Sequence, residues 1–305
     1  MNAENTDWRR IAVPYALLVL TMVFWAGNSI VGRAMKDEIP PLTLTWIRWA
    51  GSAMVLMPFA LRQMWRDRVE VRRGWIALLF LGLTGMCAFN SLLYTGLHYT
   101  AASNALLIQA LIPALVLILG ALFLGDRTPL LRIGGVAIST LGVGFIVFKG
   151  SFEALLGLHL GAGDVLILAA CFVWSIYTLG LRFSPAVAPM TVLLVTVLIG
   201  VVGTAPLAWT ERAQVVEIVW TPAVIWACLY VSIFPSALAY LFYNAAVSRI
   251  GPVATGQTIA LMPLFGAWLA AILLGEKLHF FHFAGMVLIL AGIAFSGLAL
   301  LRSQR

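Results

Sequence analysis

The sequence contains ten long apolar runs, and these runs restrict the chain to one kind of structure. Each run is about 20 residues long, which is the length that a helix needs to cross the hydrocarbon core of a bilayer. Because a backbone in lipid must satisfy its own hydrogen bonds, such runs fold as transmembrane helices. Hydrophobic residues make up 62 % of the 305 residues and charged residues only 10 %, which leaves little material for a soluble domain. The runs lie near residues 12–32, 41–61, 74–95, 101–124, 129–148, 161–181, 188–209, 221–246, 252–274 and 281–301.

An internal duplication divides the chain into two similar halves. Residues 110–145 and 260–295 align at an offset of 150, with ten of 36 positions identical, and Trp25 aligns with Trp174 at an offset of 149. Since each half has an odd number of helices, the second half must enter the membrane from the opposite side. We therefore predict an all-α integral membrane protein with ten transmembrane helices in two inverted five-helix repeats, residues 1–150 and 151–305, around a central cavity.

The distribution of basic residues predicts the orientation. The net charge of +7 could suggest a nucleic-acid partner, but the charge is concentrated at one end of the predicted helices, so no nucleic acid is expected. Thirteen arginines fall on the side of the termini and five basic residues on the other side. The positive-inside rule then places both termini in the cytoplasm. The absence of a targeting extension favours a bacterial inner membrane.

Polar and aromatic side chains inside the runs indicate a shared interior. Such groups are costly in hydrocarbon unless they are paired or hydrated. The alternative for the aromatic and amide residues is helix packing and interhelical hydrogen bonding. For Arg48, the charge within a run, the alternatives are an arginine that snorkels to the interface and one that binds a substrate carboxylate. The candidate cavity residues are Trp25, Asn28, Arg48, Asn90, Tyr94, Gln109, Trp174, Tyr177, Tyr240, Tyr243 and Asn244.

Three prolines within the runs are candidate hinges. Pro113, Pro235 and Pro263 each remove a backbone donor from a helix and free a carbonyl. Lipid tolerates this only where protein or water satisfies the freed group. Kinks at related places in both halves suit a cavity that opens and closes.

Catalytic and cofactor chemistry is not indicated. The histidines are expected in loops, including His279 and His282, without carboxylates at ligand spacing, so no metal or other cofactor is predicted. An intramembrane enzyme would need a nucleophile and base or a metal at membrane depth, and the sequence offers neither. No acidic residue lies in the middle of a run, which favours facilitated transport or exchange over proton coupling.

The two copies of A-L-x-P…L-G-[DE]-[RK]…G-x6-G resemble the EamA branch of the drug/metabolite transporter superfamily. Among its members, the length and the aromatic-rich runs look most like the YddG-type exporters of aromatic amino acids. The resemblance implies a cavity walled by the first four and the sixth to ninth helices, and export by alternating access. The implied partners are the lipid bilayer and a small-molecule substrate, an aromatic or apolar amino acid or a related metabolite, with the protein a monomer or a homodimer. The alternative is a permease for another metabolite or a drug-like cation. The small multidrug members of the superfamily use a glutamate in the first helix, and the corresponding WAGNSIVG of this chain has no acidic residue, which argues against a proton-coupled mechanism for cationic drugs.

Overall fold

The computed structural model describes residues 3–126, 129–148, 161–274 and 280–303, and within these ranges the chain forms ten helical segments. Four of the segments contain an irregular turn or a break, and two short helices, Arg68–Arg73 and Arg212–Val215, lie in connections. The segments are α1 (Ala3–Ala34), α2 (Pro41–Arg66), α3 (Trp75–Tyr99), α4 (Ala102–Gln109 and Ile112–Leu124), α5 (Leu130–Val147), α6 (Ala162–Gly180), α7 (Pro189–Thr210), α8 (Pro222–Ile250), α9 (Pro252–Gln257, Thr258–Leu261 and Met262–Leu274) and α10 (Phe280–Ser303).

These segments confirm the predicted fold class. Six stretches, in α1, α2, α3, α6, α7 and α8, are long and apolar enough to cross a membrane, and three shorter apolar helices belong to α4, α5 and α10. We call the end of the bundle where α1 begins and α10 ends the terminal end, and the opposite end the distal end. One sequence interpretation was wrong: His98 lies in the last turn of α3 and His282 near the start of α10, not in loops. His279, and Glu276 and Lys277 of the second L-G-[DE]-[RK] motif, lie outside the described residues.

The inverted repeat is visible in the irregular turns. A π-helical turn interrupts α3 at Gly82–Ala88 and α8 at Ile233–Leu238, so that Gly85 and Pro235, 150 positions apart, are equivalent. Likewise α4 breaks between Gln109 and Ile112, and α9 has a 3₁₀ turn at Thr258–Leu261. Such irregularities are frequent at functional sites because they free backbone carbonyls for other partners.

All three candidate hinge prolines lie at these irregularities. Pro113 is near the start of Ile112–Leu124, just after the break in α4, and Pro263 holds the same place in Met262–Leu274. Pro235 is inside the π-helical turn of α8. A proline in the first turn of a helix costs little because no intrahelical partner is lost there. Their role as moving hinges stays a prediction.

Helices α5 and α10 cross closely at their glycines. A Cβ atom on Gly135 would lie 2.6 Å from the Gly292 carbonyl oxygen, and one on Gly142 would lie 2.7 Å from that of Gly285. At the centre of the crossing, Ser139 Oγ donates to the carbonyl of Ile289, exactly its counterpart at an offset of 150. The two helices therefore meet on the axis that relates the halves, and small residues bring their backbones together.

Candidate functional site

Aromatic side chains from both halves meet at the centre of the bundle. Trp25 of α1 and Trp174 of α6 contact each other edge to face, with ring centroids 5.0 Å apart. Tyr240 and Tyr243 of α8 lie 5.4 Å and 5.2 Å from the Trp174 ring. Trp25 is 8 % and Trp174 1 % exposed, and the two tyrosines are fully buried. Edge-to-face contacts of this kind stabilise an aromatic cluster beyond simple burial.

A tyrosine–asparagine hydrogen bond occurs once in each half with the residue types exchanged. Tyr94 OH donates to Asn28 Oδ1 at 2.6 Å, joining α3 to α1, and Tyr177 OH donates to Asn244 Oδ1 at 2.7 Å, joining α6 to α8. Asn28 aligns with Tyr177 at an offset of 149, and Tyr94 aligns with Asn244 at 150. The two bonds are thus equivalent under the inverted repeat.

The carbonyls freed by the two π-helical turns accept bonds from this central group. Gly85 O accepts from Asn90 Nδ2 and from Tyr240 OH, both at 2.9 Å. Its equivalent, Pro235 O, accepts from Trp25 Nε1 at 2.9 Å and from Arg48 at 3.0 Å. Asn90 Nδ2 also donates to Tyr240 OH at 3.1 Å. The polar side chains therefore satisfy backbone groups that lipid could not satisfy.

A small cavity lies next to this cluster. Its volume is about 20 Å³, which is room for a single water molecule. Five of the candidate cavity residues line it: Trp25, Asn28, Arg48, Gln109 and Trp174. Residues of α1 to α4, α6 and α9 line the cavity. The family resemblance implies that α7 and α8 also form part of the wall, but no residue of either helix lines the cavity in this conformation. This volume is too small for a molecule of amino-acid size in this conformation.

The other six candidate residues lie behind that wall. Their side chains are buried and hydrogen-bonded to one another, to backbone or to the side chains of Asn28, Arg48 and Thr178. They do not line the cavity in this conformation; they are Asn90, Tyr94, Tyr177, Tyr240, Tyr243 and Asn244. Their contact with solute stays a prediction. Conversely, Ser29, Phe89, Leu93, Ile112, Ile259 and Met262 line the cavity although they were not candidates. Of these six residues only Ser29, next to Asn28, is polar, so only Ser29 could have been recognised from the sequence as a candidate.

Arg48 is the charged group of the site. It is 1 % exposed, so the alternative of an arginine snorkelling to the interface is excluded. Its Nε donates to Ser236 Oγ at 2.5 Å, and its Nη1 donates to Tyr94 OH at 3.1 Å and to Asn28 Oδ1 at 3.3 Å. The guanidinium carbon is 5.0 Å from the Trp49 ring centroid, within the range of a cation–π contact.

A larger pocket of about 590 Å³ opens at the distal end of the bundle. Its rim carries Asp37, Glu38, Glu211 and Glu217, together with Lys36 and His98. The hydrogen bond from Lys36 lowers the pKa of the Asp37 carboxyl. We call this pocket the vestibule.

Two acidic residues join α2 to α7 at opposite ends of the bundle. At the distal end, Glu211 accepts from the backbone N–H groups of Leu42 and Thr43 at 3.1 and 2.7 Å and from Thr43 Oγ1 at 2.8 Å; we call this the distal latch. At the terminal end, Asp67 accepts from Thr191 Oγ1 at 2.6 Å and from Ala188 N at 3.4 Å; we call this the terminal latch.

The latches are equivalent under the repeat. Thr43 aligns with Thr191 at an offset of 148, and each acid follows the end of one helix and caps the start of the other. A carboxylate at a helix N-terminus satisfies free N–H groups and is attracted by the helix dipole. Both latches are closed in this structure.

Inverted halves with irregular helices at their seam are the architecture of many membrane transporters. The chain belongs to the EamA-like transporter family, whose model matches residues 13–148 and 161–298. This confirms the family that the sequence motifs indicated.

Individual relatives agree with this assignment. The chain is 29 % identical to an uncharacterized transporter of Archaeoglobus fulgidus, over 92 % of this chain and 95 % of that protein. It is 26 % identical to the uncharacterized transporter YyaM of Bacillus subtilis, over 92 % of each. A protein of Streptantibioticus cattleyicolor named as a probable terminal-alkyne amino-acid exporter is 27 % identical over 90 % of each chain. A crystal structure with 16 % identity shares the fold, with a TM-score of 0.74 over 96 % of this chain and 99 % of the other.

Proposed function

We propose that the protein exports small metabolites, namely amino acids with aromatic or apolar side chains, by alternating access through the cavity between its two halves. The observation that carries this proposal is the lining of the cavity, which residues of both halves form and which combines Trp25 and Trp174 with polar Asn28, Arg48 and Gln109. A mostly apolar site with a few placed polar groups is the usual arrangement for a small metabolite. The relative named as an amino-acid exporter supports the same substrate class.

The latches support the alternating-access part of the proposal. With both latches closed and only about 20 Å³ free inside, we interpret this conformation as one that is closed at both ends. Opening the distal latch would connect the cavity to the vestibule, and opening the terminal latch would connect it to the other side. The two latches are related by the inverted repeat. A rocking motion of the halves in one sense would therefore open the distal latch and close the terminal latch, and the reverse motion would do the opposite.

The orientation and boundaries complete the proposal. We propose that the terminal end faces the cytoplasm of a bacterial cell and the vestibule faces outward, because the excess of arginines at the terminal end favours this orientation. Residues 1–150 and 151–305 form the two moving halves. A buried arginine in the cavity wall repels cationic solutes, which argues against the alternative of a drug-like cation.

The test is a transport assay with purified protein in liposomes. Counterflow of labelled phenylalanine is measured in competition with a panel of aromatic, apolar, acidic and basic amino acids and with cationic dyes. We expect aromatic and apolar amino acids to compete and the cations not to compete. Competition by the cations alone would contradict the proposal.

A further inference from the structure

We propose that Arg48 makes a carboxylate group on the solute a requirement for transport. This inference deepens the proposed function and rests on it. Arg48 is 1 % exposed, lines the cavity and forms no ion pair with any carboxylate in the described ranges 3–126, 129–148, 161–274 and 280–303. An arginine keeps its charge in proteins, and a buried charge is costly unless an opposite charge compensates it.

The partners that Arg48 has are all neutral. Ser236 Oγ, Tyr94 OH, Asn28 Oδ1 and Pro235 O accept four of its N–H groups. The fifth, on Nη2, has no acceptor among the described residues. Neutral dipoles compensate a buried cation less well than a carboxylate does, because charge-assisted bonds are about twice as strong. Beside its cavity the site therefore holds one positive charge whose partners in the described residues are all neutral.

The second half shows that the fold does not need this charge. At an offset of 148, the residue equivalent to Arg48 is Thr196, a buried residue whose hydroxyl is bonded to carbonyls of its own helix. The equivalent tyrosine–asparagine bond, Tyr177 to Asn244, forms without an arginine. An arginine that served only to hold this pair together would be expected in both halves.

The hydrogen-bond geometry indicates how a carboxylate would be received. Nε and Nη2 of Arg48 now bind Ser236 Oγ and Pro235 O, which both belong to the π-helical turn of α8. A carboxylate that takes the place of these two acceptors receives the two parallel bonds that a guanidinium offers. Binding would then exchange a contact between α2 and α8 for a contact with the solute, while Trp25 and Trp174 pack against its apolar part.

The experiment compares three probes that share one ring and differ in charge: phenylalanine, phenylalanine amide and phenethylamine. Binding is measured by thermal stabilisation of the purified full-length protein and transport by competition with labelled phenylalanine in liposomes. We expect the native protein to prefer phenylalanine over both other probes by about tenfold or more. Arg48→Gln should abolish the preference, and Arg48→Lys should keep part of it. Arg62→Gln, an exposed change on the same helix, should leave the preference intact.

The outcomes separate the inference from the proposed function. Equal binding of phenylalanine and phenethylamine to the native protein would overturn the role of Arg48 but leave a transporter of aromatic solutes. Arg48→Gln that loses affinity for all probes in the same proportion would show a structural role and would also overturn it. Binding of none of the three probes to the native protein would overturn the proposed function and this inference with it.

Discussion

Neutralising one latch should bias the transporter toward the conformation that is open at that end. Glu211 accepts three hydrogen bonds at 2.7 to 3.1 Å from the first turn of α2. A hydrogen bond to a charged group contributes about 1.5–3 kcal/mol and one between neutral groups about 0.5–1.5 kcal/mol. A glutamine keeps part of these bonds and loses about 0.3–1 kcal/mol of attraction to the helix dipole. Because Glu211 is only half-buried, we expect Glu211→Gln to destabilise the closed distal end by about 1–2 kcal/mol, or roughly 5- to 30-fold in population.

The assay is the labelling rate of a cysteine placed two residues further into the helix than the threonine of the latch. Thr45 of α2 is fully buried, and Leu193 of α7 is its equivalent at the terminal end, also fully buried. In a variant whose three native cysteines are replaced by alanine, Glu211→Gln should accelerate labelling of Thr45→Cys by an impermeant maleimide and leave that of Leu193→Cys unchanged or slower. Asp67→Asn should produce the opposite pattern.

A matched control separates the latch from a general loss of negative charge. Glu217 lines the same vestibule and is exposed, and its side chain forms no hydrogen bond or ion pair in the described part of the chain. Glu217→Gln should therefore leave both labelling rates unchanged. If Glu211→Gln and Glu217→Gln behave alike, or if Glu211→Gln accelerates both sites equally, the distal latch is not a gate.

Two further predictions concern the helix crossing and the central cluster. Gly135→Ala should lower the stability of the detergent-solubilised protein by about 1–3 kcal/mol, because the new Cβ meets the backbone of α10. Gly134→Ala is the control and should leave stability unchanged, because a Cβ at Gly134 has nothing within 4 Å. Equal unfolding temperatures of the two variants would contradict the close crossing. Tyr94→Ala and Asn244→Ala each remove one of the two equivalent tyrosine–asparagine bonds. Each variant should slow transport by about fivefold while its expression stays normal. Unchanged flux in both variants would assign these residues to packing alone.

The sequence was sufficient to predict the fold because its strongest signals are local. Apolar runs of membrane length and a constant offset between halves determine ten helices and an inverted repeat without any knowledge of contacts. The three candidate hinge prolines also indicated where helices are interrupted, but they did not indicate the type of interruption. Only the structure shows that Pro235 and Gly85 lie in equivalent π-helical turns whose carbonyls accept side chains from the central cluster.

The details of the site depend on contacts across the seam, and a single sequence does not contain them. Polar residues such as Tyr240 and Asn244 signal a shared interior equally well whether they face a solute or each other. Arg48 was ambiguous for the same reason, because burial of its charge is decided by α1, α3 and α8 together. The latches could not be predicted, since Glu211 and Asp67 lie in connections and become neighbours of Thr43 and Thr191 only when the halves pack.

The most direct test of the account is whether one position in the cavity can be reached from both sides of the membrane in turn. Ser29 lines the cavity, is 1 % exposed and has a hydroxyl without a hydrogen-bond partner, so that Ser29→Cys is a nearly isosteric probe. In liposomes with a uniform orientation and the native cysteines replaced, an impermeant maleimide should label this cysteine from either side, with phenylalanine protecting it from both. A cysteine that is reached from one side only, or from neither, would contradict a solute pathway between the two inverted halves.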